Sequence, residues 1–333
     1  NYLEASGENV MFGGSPKVIE GVVPSDIEIR RNHFFKPLSW RPGNPAFAGT
    51  PWQVKNHLEV KNGQRILVEG NVVENTWPST GGQRGYMLVL TPAHELGAVP
   101  QARVQDITIR YNRFAHASSW INSRFFSPGD NGKGPASPPD VVCSENQVPE
   151  GCLRARRWHI HDNVVEDVSS AVWGGEGKMF QVIGPVDDIV LENNTVFEDQ
   201  WIAFFAGPGP GRGPNRLPER FVFRNNIVWS GVRGVGGNGT ADGSVTLAFH
   251  TPHSTFDRNV IVGPALVPYP GKNSFEGKLE KMQFRNFAAG DYRLLPSSKY
   301  RKAGIGGKDP GADIDALEKA TEGVVVNVKP LAQ

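Results

Sequence analysis

The stretch VDDIVLENNTVFED, residues 186–199, carries the clearest structural signal in this chain. Its apolar residues Ile189 and Leu191 are two positions apart, which is the period of a half-buried β-strand. The pair Asn193–Asn194 interrupts the run, because asparagine tolerates left-handed backbone angles and bonds to nearby backbone groups. Residues 195–197, Thr-Val-Phe, then favour a second strand. The stretch therefore predicts two short strands joined by a tight bend.

The same bend recurs along the chain. Seven more segments place an asparagine at the same phase of a strand-like run: Asn1, Asn32, Asn71, Asn112, Asn163, Asn226 and Asn259. With Asn194 included, successive bends are 31 to 51 residues apart. A repeat of fixed phase and variable length indicates a solenoid with insertions, in which each coil packs against its neighbours.

Each coil needs a third strand, which follows the two strands that the asparagine bend joins. Strand-like runs of the right length occupy residues 85–91, 118–126, 178–184, 201–207 and 244–250. Three strands a coil predict an all-β, right-handed parallel β-helix of about eight coils, with the asparagines hydrogen-bonded in a ladder along one turn. Residues 1–269 form the coils, and residues 270–333 form the last coil and a C-terminal cap within a single domain. A transverse β-sandwich is the alternative, although its turns would be more varied.

Long insertions are expected at residues 36–55, 76–85, 127–153 and 207–218. The last is a Gly-Pro segment that excludes both helix and central strand. Because the sequence begins in phase with the repeat, we expect that an N-terminal part of the protein precedes Asn1.

Composition narrows the function classes. The 39 Gly and 26 Pro among 333 residues indicate a turn-rich β protein. A net charge of +1 leaves no basic field for nucleic acid, and no apolar run is long enough for a membrane span. Cys143 and Cys152 would form a disulfide in an exported protein or stay free thiols in a reducing cell, and the sequence leaves both open.

Several segments carry a family resemblance: IEIRRNHFFKPLSW, VKNHLEVKNGQRILVEGNVVEN, WGGEGKMFQV, FVFRNNIV, GDYRLLPSSKYR and GADIDAL. Together they resemble bacterial right-handed parallel β-helix repeat proteins of the pectate-lyase-like superfamily, over nearly the whole chain. That superfamily contains polysaccharide lyases, hydrolases, epimerases, phage tailspikes and non-catalytic surface proteins. The resemblance implies the fold and an exported protein (secreted, periplasmic or at the cell surface), whereas the activity must be argued from the site.

The motifs of two superfamily activities are incomplete here. Polygalacturonase-like hydrolases carry Asn-Thr-Asp, Asp-Asp and Gly-His-Gly motifs, but this chain has only the Asp-Asp at Asp187–Asp188. Pectate lyases hold calcium with clustered carboxylates, whereas Asp130, Asp140 and Glu145 are widely spaced in their loop. The sequence therefore predicts no cofactor and no metal ligands, and calcium stays open without a clear motif.

Metal-free acid–base chemistry requires a base, an acid and a cation in one groove. The candidate catalytic residues are His116, Arg124, Glu176 and Lys178. The candidate substrate-binding residues are Trp120, Asn122 and Trp173 beside them, and Trp40, Arg41, Trp52 and Lys55 in a second groove. Residues from adjacent coils lie within one strand spacing of each other, and tryptophan can stack on sugar rings while Arg or Lys pairs with uronate carboxylates.

Two functions follow from this pattern. The first is an exported enzyme that cleaves an acidic polysaccharide in a side groove, by lyase-type acid–base chemistry or by hydrolysis. The second is a non-catalytic carbohydrate-binding or cell-surface scaffold protein, which the incomplete motifs favour. In both, the partner is a polysaccharide or oligosaccharide.

Overall fold

The computed structural model describes residues 1–15, 22–79, 81–92, 102–124, 155–184, 186–207, 217–264 and 268–325. The disulfide considered between Cys143 and Cys152 lies outside these residues, as do the loop 127–153 and most of the loop 207–218. Within the described ranges, no helix has the length and apolar character that a membrane crossing requires.

Three long parallel sheets make up most of the structure. The first sheet contains β1 (Tyr2–Glu4), β4 (His33–Phe35), β7 (Val72–Thr76), β10 (Arg113–Ala117), β13 (Val164–Val168), β16 (Thr195–Glu198), β19 (Ile227–Trp229), β22 (Val260–Val262) and β23 (Ser274–Glu276). The second sheet contains β2 (Val10–Phe12), β5 (Leu58–Val60), β8 (Tyr86–Leu90), β11 (Ser119–Arg124), β14 (Lys178–Ile183), β17 (Trp201–Ala206) and β20 (Gly234–Gly237). The third sheet contains β3 (Ser25–Arg30), β6 (Gly63–Glu69), β9 (Val104–Arg110), β12 (Ala155–His161), β15 (Asp187–Glu192), β18 (Val222–Arg224) and β21 (Thr255–Asp257).

The chain visits these sheets in rotation. From β3 in the third sheet it passes to β4 in the first and β5 in the second, and β6 then returns to the third. Every strand pair within the three sheets is parallel, as between β6 and β9. This topology is compatible with a parallel β-helix, and it differs from the sandwich alternative.

The core lies between the three sheets and follows the predicted alternation. In the third sheet, Ile66, Ile107, Trp158 and Ile189 oppose one another in register, and all four are buried. Burying one such aliphatic side chain stabilises the fold by about 1.5–3 kcal/mol. Rows of this kind make neighbouring coils depend on one another.

The predicted asparagine ladder is confirmed. Asn163 Oδ1 accepts from the backbone N of Asn112 at 3.1 Å and from its Nδ2 at 3.0 Å, while Asn163 Nδ2 donates to Asn194 Oδ1 at 3.0 Å. The same pairing joins the repeat asparagines from Asn32 to Asn259, and Asn1 Nδ2 donates to Asn32 Oδ1 at 2.8 Å. The residue before each internal ladder asparagine has a positive φ, between 52° and 65°, which makes the bend. Asn273 extends the ladder.

Four of the five predicted third strands are confirmed, and the fifth prediction is wrong. Residues 244–250 form the helix α2 (Ser244–His250). Its buried residues Thr246, Leu247 and His250 lie on one helical face. The apolar residues Val245, Leu247 and Phe249 alternate along the sequence, which is why it also fits a strand. The strand at this position is β20, whose Gly-rich sequence offers no side-chain signal.

The C-terminal segment lies along the side of the first sheet. Its short antiparallel pair β24 (Phe284–Asn286) and β25 (Asp291–Leu294) is followed by the helix α3 (Ile314–Thr321). Leu317 of α3 packs against Val164, and the Arg31 guanidinium donates to the carbonyls of Ala320 and Glu322. The described part of residues 270–333 therefore lies along several coils. The sequence predicts only that this segment forms the last coil and caps the end.

Candidate functional site

The outward face of the second sheet carries a cleft of ≈ 310 Å³. Its lining includes Lys55, Glu59, Lys61, Arg84, Tyr86 and Asn122. These residues come from three neighbouring coils, because β5, β8 and β11 are adjacent in the sheet. The cleft is thus built from the third strand of each coil and the loop before it.

Four polar side chains interlock beside this cleft, and one of them, Tyr86, is part of its lining. The Tyr86 hydroxyl lies 2.8 Å from Glu176 Oε2 and 2.9 Å from Gln181 Oε1. Lys178 Nζ reaches the same two groups, at 3.1 Å from Glu176 Oε1 and 2.6 Å from Gln181 Oε1. A phenol and an amine are therefore held together by one carboxylate and one amide, which is an arrangement suited to acid–base chemistry.

Strand register and a glycine turn bring these groups together. Tyr86 opposes Ser119 in the sheet, and the Lys178 backbone N donates to Ser119 Oγ at 3.2 Å. Glu176 lies in the turn that enters β14. Gly175 in that turn has φ +76°, and a Cβ there would lie only 1.9 Å from Ser118 Oγ. The turn needs glycine so that it can lie against the neighbouring coil, which fixes where the Glu176 side chain starts.

Burial shifts the acidities of the phenol and the amine in opposite directions. Burial, and then the charge of Glu176, raise the pKa of Tyr86 well above its ordinary value. Burial lowers the pKa of Lys178, and Glu176 offsets part of that effect. The Lys178 amine also lies 4.3 Å from the Phe204 ring centroid. At neutral pH Tyr86 keeps its proton, while Lys178 loses its proton more readily than an exposed lysine.

A second cluster contains His116 and Trp173, which sequence analysis grouped with Glu176. His116 Nδ1 lies 2.9 Å from Asp167 Oδ2, and the Trp173 indole N–H donates to the same oxygen at 2.8 Å. The guanidinium carbon of Arg41 lies over the Trp173 ring, 4.5 Å from the ring centroid. The two grooves considered from the sequence therefore meet at Trp173, and His116 belongs to this cluster.

The remaining aromatic candidates differ in exposure. Trp40 and Trp52 form a pair with ring centroids 6.2 Å apart, and Trp52 is 49% exposed. Trp120 is fully buried beside Phe114, so no ligand reaches it. Lys55 lines the cleft and pairs with Glu8.

The last two candidate site residues, Asn122 and Arg124, lie on β11. Asn122 accepts from Gln181 Nε2 at 3.1 Å and lines the cleft. Arg124 is at the end of β11, opposite Ile183. Of the sequence candidates, the structure thus joins Glu176, Lys178 and Asn122 in one network around Gln181.

Sequence analysis missed Tyr86, Gln181, Arg84 and Glu59. A signal was present, since Tyr86 and Gln181 interrupt the apolar third strands GYMLVLT and KMFQVIG. Aligning those strands by the phase of the asparagine bend would have placed their polar residues on one outward face.

A larger cavity of ≈ 810 Å³ lies under the C-terminal segment. Arg293 is in the lining of this cavity, and it already forms ion pairs with Asp291, Asp315 and Glu318. These ion pairs join the C-terminal segment to itself. We therefore place the candidate site in the smaller cleft.

Asp187 and Asp188 give little support for hydrolase chemistry. Asp188 pairs with Arg220, and Asp187 Oδ1 accepts from the Glu219 backbone N at 3.0 Å, so both hold neighbouring coils together. In the part of the chain that the structure describes, no group of three or more His, Cys, Asp or Glu side chains is arranged to hold a metal ion. Comparison with known proteins found no matching family model and no matching curated protein.

Stability should depend on pH through the His116–Asp167 pair. The hydrogen bond that Asp167 accepts from the His116 ring raises the pKa of His116 above its ordinary value. A pKa raised on folding stabilises the protein below the unfolded pKa, near 6.5, and this contribution is lost as the pH rises through the folded pKa. Asp167→Asn should therefore lower Tm more at pH 5 than at pH 8, as measured by thermal unfolding. An equal loss at both pH values would show that the pair does not titrate in this way.

Proposed function

We propose that this chain is an exported, right-handed parallel β-helix of about eight coils, of the pectate-lyase-like kind, that cleaves an acidic polysaccharide by β-elimination. The cleft of the second sheet is the proposed active site. The observation that carries the proposal is the contact of Lys178 and Tyr86 with the same carboxylate and the same amide. The rotation of the chain through three parallel sheets supports the fold assignment.

In this mechanism Lys178 is the base and Tyr86 is the acid. Once it has lost its own proton, the Lys178 amine takes the proton on the carbon next to the uronate carboxylate. The electrons of that C–H bond form a C=C bond, and the C–O bond to the leaving sugar breaks. Tyr86 gives its proton to the leaving oxygen, so one proton is taken and one is given without any change of oxidation state. Glu176 positions both groups through its two oxygens.

The charges around the cleft favour a uronic acid polymer. Arg84, with a 70% exposed side chain, lies at the cleft beside Glu176. Lys61 and Lys55 line the same cleft, and both are close to Glu59. A guanidinium at this position can bind a carboxylate with two parallel hydrogen bonds and stabilise the charge that develops on it during proton removal.

Non-catalytic carbohydrate binding is the second candidate function. The exposed Trp52 ring beside Trp40 offers a sugar-stacking surface away from the cleft. In addition, the charges of Lys178 and Glu176 are already paired with each other, which suits a binding surface as well as a resting enzyme. Binding without turnover would favour this function.

The two functions are separated by incubating the protein with a panel of uronic acid polymers and following ultraviolet absorbance. We expect absorbance from unsaturated chain ends, with an equal number of new reducing ends. New reducing ends without absorbance would indicate hydrolysis, and binding without either product would indicate the non-catalytic function. No product and no binding on a broad glycan panel would contradict both.

A further inference from the structure

Three buried carboxylate oxygens lie at the end of β16 without hydrogen-bond partners. They are both side-chain oxygens of Glu198 and Oδ1 of Asp199. Glu198 is only 3% exposed. Among the described residues, no lysine, arginine or histidine forms an ion pair with either side chain. Buried carboxylates normally have such partners, so this pair requires an explanation.

The other oxygen of Asp199 has a structural role. Asp199 Oδ2 accepts from Ser169 Oγ at 2.9 Å, from Ser170 Oγ at 3.1 Å and from the Ala171 backbone N at 3.1 Å, at the start of helix α1 (Ser170–Trp173). These bonds hold the carboxylate in one orientation. Its remaining oxygen, Oδ1, is therefore fixed and is directed away from the helix.

Two glycines lie close against the unpartnered oxygens. A Cβ on Gly231 would lie 2.6 Å from Glu198 Oε2 and 2.5 Å from the backbone carbonyl oxygen of Gln200. A Cβ on Gly177 would lie 2.0 Å from Asp199 Oδ1. Both glycines have a positive φ, of +56° and +59°. The backbone thus approaches the carboxylates closely, and a carbonyl oxygen lies in the same neighbourhood as Glu198 Oε2.

We propose that Glu198 and Asp199 bind a calcium ion. The Glu198 oxygens, Asp199 Oδ1 and the Gln200 carbonyl are oxygen donors, which is the chemistry that Ca²⁺ takes in proteins. Two carboxylates neutralise the ion, and water would complete its coordination. Because the donors are buried, the ion enters during folding or by local opening of the β16 end. This site lies beside the proposed chemistry, since Gly177 is between Glu176 and Lys178, but Ca²⁺ binding does not require that chemistry.

A shared proton is the competing explanation for the same atoms. Burial and the charge of Asp199 raise the pKa of Glu198 well above its ordinary value, so a neutral Glu198 can exist without a cation. In that case replacing the acid by an amide would change little or would stabilise the protein. The two explanations thus differ in how stability responds to calcium and to a chelator.

The test compares wild type with Glu198→Gln and Asp199→Asn. Each protein is unfolded, treated with EDTA and refolded with or without Ca²⁺. Ca²⁺ binding is then measured by calorimetry, and Tm is measured with Ca²⁺, with Mg²⁺ and with EDTA. We expect one Ca²⁺ per wild-type chain and a higher Tm with Ca²⁺ than with EDTA. Both variants should bind Ca²⁺ at least tenfold more weakly and lose the Tm shift.

Glu276→Gln is the matched control. Glu276 is equally buried, but it is paired with Lys299 and accepts from the Tyr300 hydroxyl at 3.0 Å. The Glu276→Gln variant should have a lower Tm than wild type and an unchanged affinity for Ca²⁺. A wild-type protein that binds no Ca²⁺ and has the same Tm in EDTA would overturn the proposal, even if the variants failed to fold. Retained Ca²⁺ binding in both Glu198→Gln and Asp199→Asn would overturn it as well.

Discussion

Lys178→Met should lower kcat for uronate polymer cleavage by about 100-fold or more, which is the usual scale of a lost general base. Methionine is unbranched and only one atom shorter than lysine, so it fills most of the same space beside Phe204, but it cannot take a proton. Substrate binding should change much less, since Arg84 and Asn122 remain in the cleft. Rates are measured from the ultraviolet absorbance of unsaturated ends, over a range of substrate concentrations.

Lys319→Met is the control for the loss of a lysine. Lys319 is an exposed residue of α3, so its replacement should leave kcat unchanged. Circular dichroism and Tm should show that both variants are folded. A Lys178→Met protein that is folded and keeps more than about a tenth of wild-type kcat would exclude Lys178 as the base.

Asn163→Ala should cost about 3–5 kcal/mol of the free energy of unfolding, the largest effect on stability that we expect. The Asn163 side chain accepts two bonds from Asn112 and donates to Asn194, to the carbonyl of Ile109 and to the carbonyl of His161. Each buried hydrogen bond contributes about 0.5–1.5 kcal/mol, and the groups left without partners add to the loss. Urea unfolding followed by circular dichroism measures the difference.

Asn1 provides the matched control. Asn1 makes one ladder bond, to Asn32, and it is exposed, so Asn1→Ala should cost less than about 1 kcal/mol. Similar losses for Asn1→Ala and Asn163→Ala would mean that the ladder does not stabilise the coils. The slope of each urea transition must match that of wild type, because repeat proteins can unfold in parts.

The parallel sheets and the asparagine ladder were predictable because one residue type recurs at one backbone phase. Each ladder asparagine from Asn32 to Asn259 follows a residue in the left-handed region, and its side chain bonds to the next coil, so the sequence repeats this feature from coil to coil. Asn273 was missed because it lies only 14 residues after Asn259, too close for a full coil. Helix α2 was missed because a short apolar run fits either period.

The site was less predictable because the direction of a side chain depends on strand register. Trp120 and Asn122 share β11, yet Trp120 is in the core and Asn122 lines the cleft. Similarly, His116 is on the first sheet and faces Asp167, although it is only a few residues from β11. Pairs such as Lys178 and Tyr86 are 92 residues apart in sequence and meet only through the sheet.

The most direct test of the proposed site is a crystal structure of Tyr86→Phe with a bound acidic oligosaccharide. This variant lacks the proposed acid but keeps the ring and Lys178, so the substrate should stay intact. We expect the sugar in the cleft of the second sheet, with a uronate carboxylate on Arg84 and a ring C–H directed at Lys178 Nζ. An oligosaccharide bound only at Trp52, with the cleft empty, would contradict the assignment of the cleft as the active site.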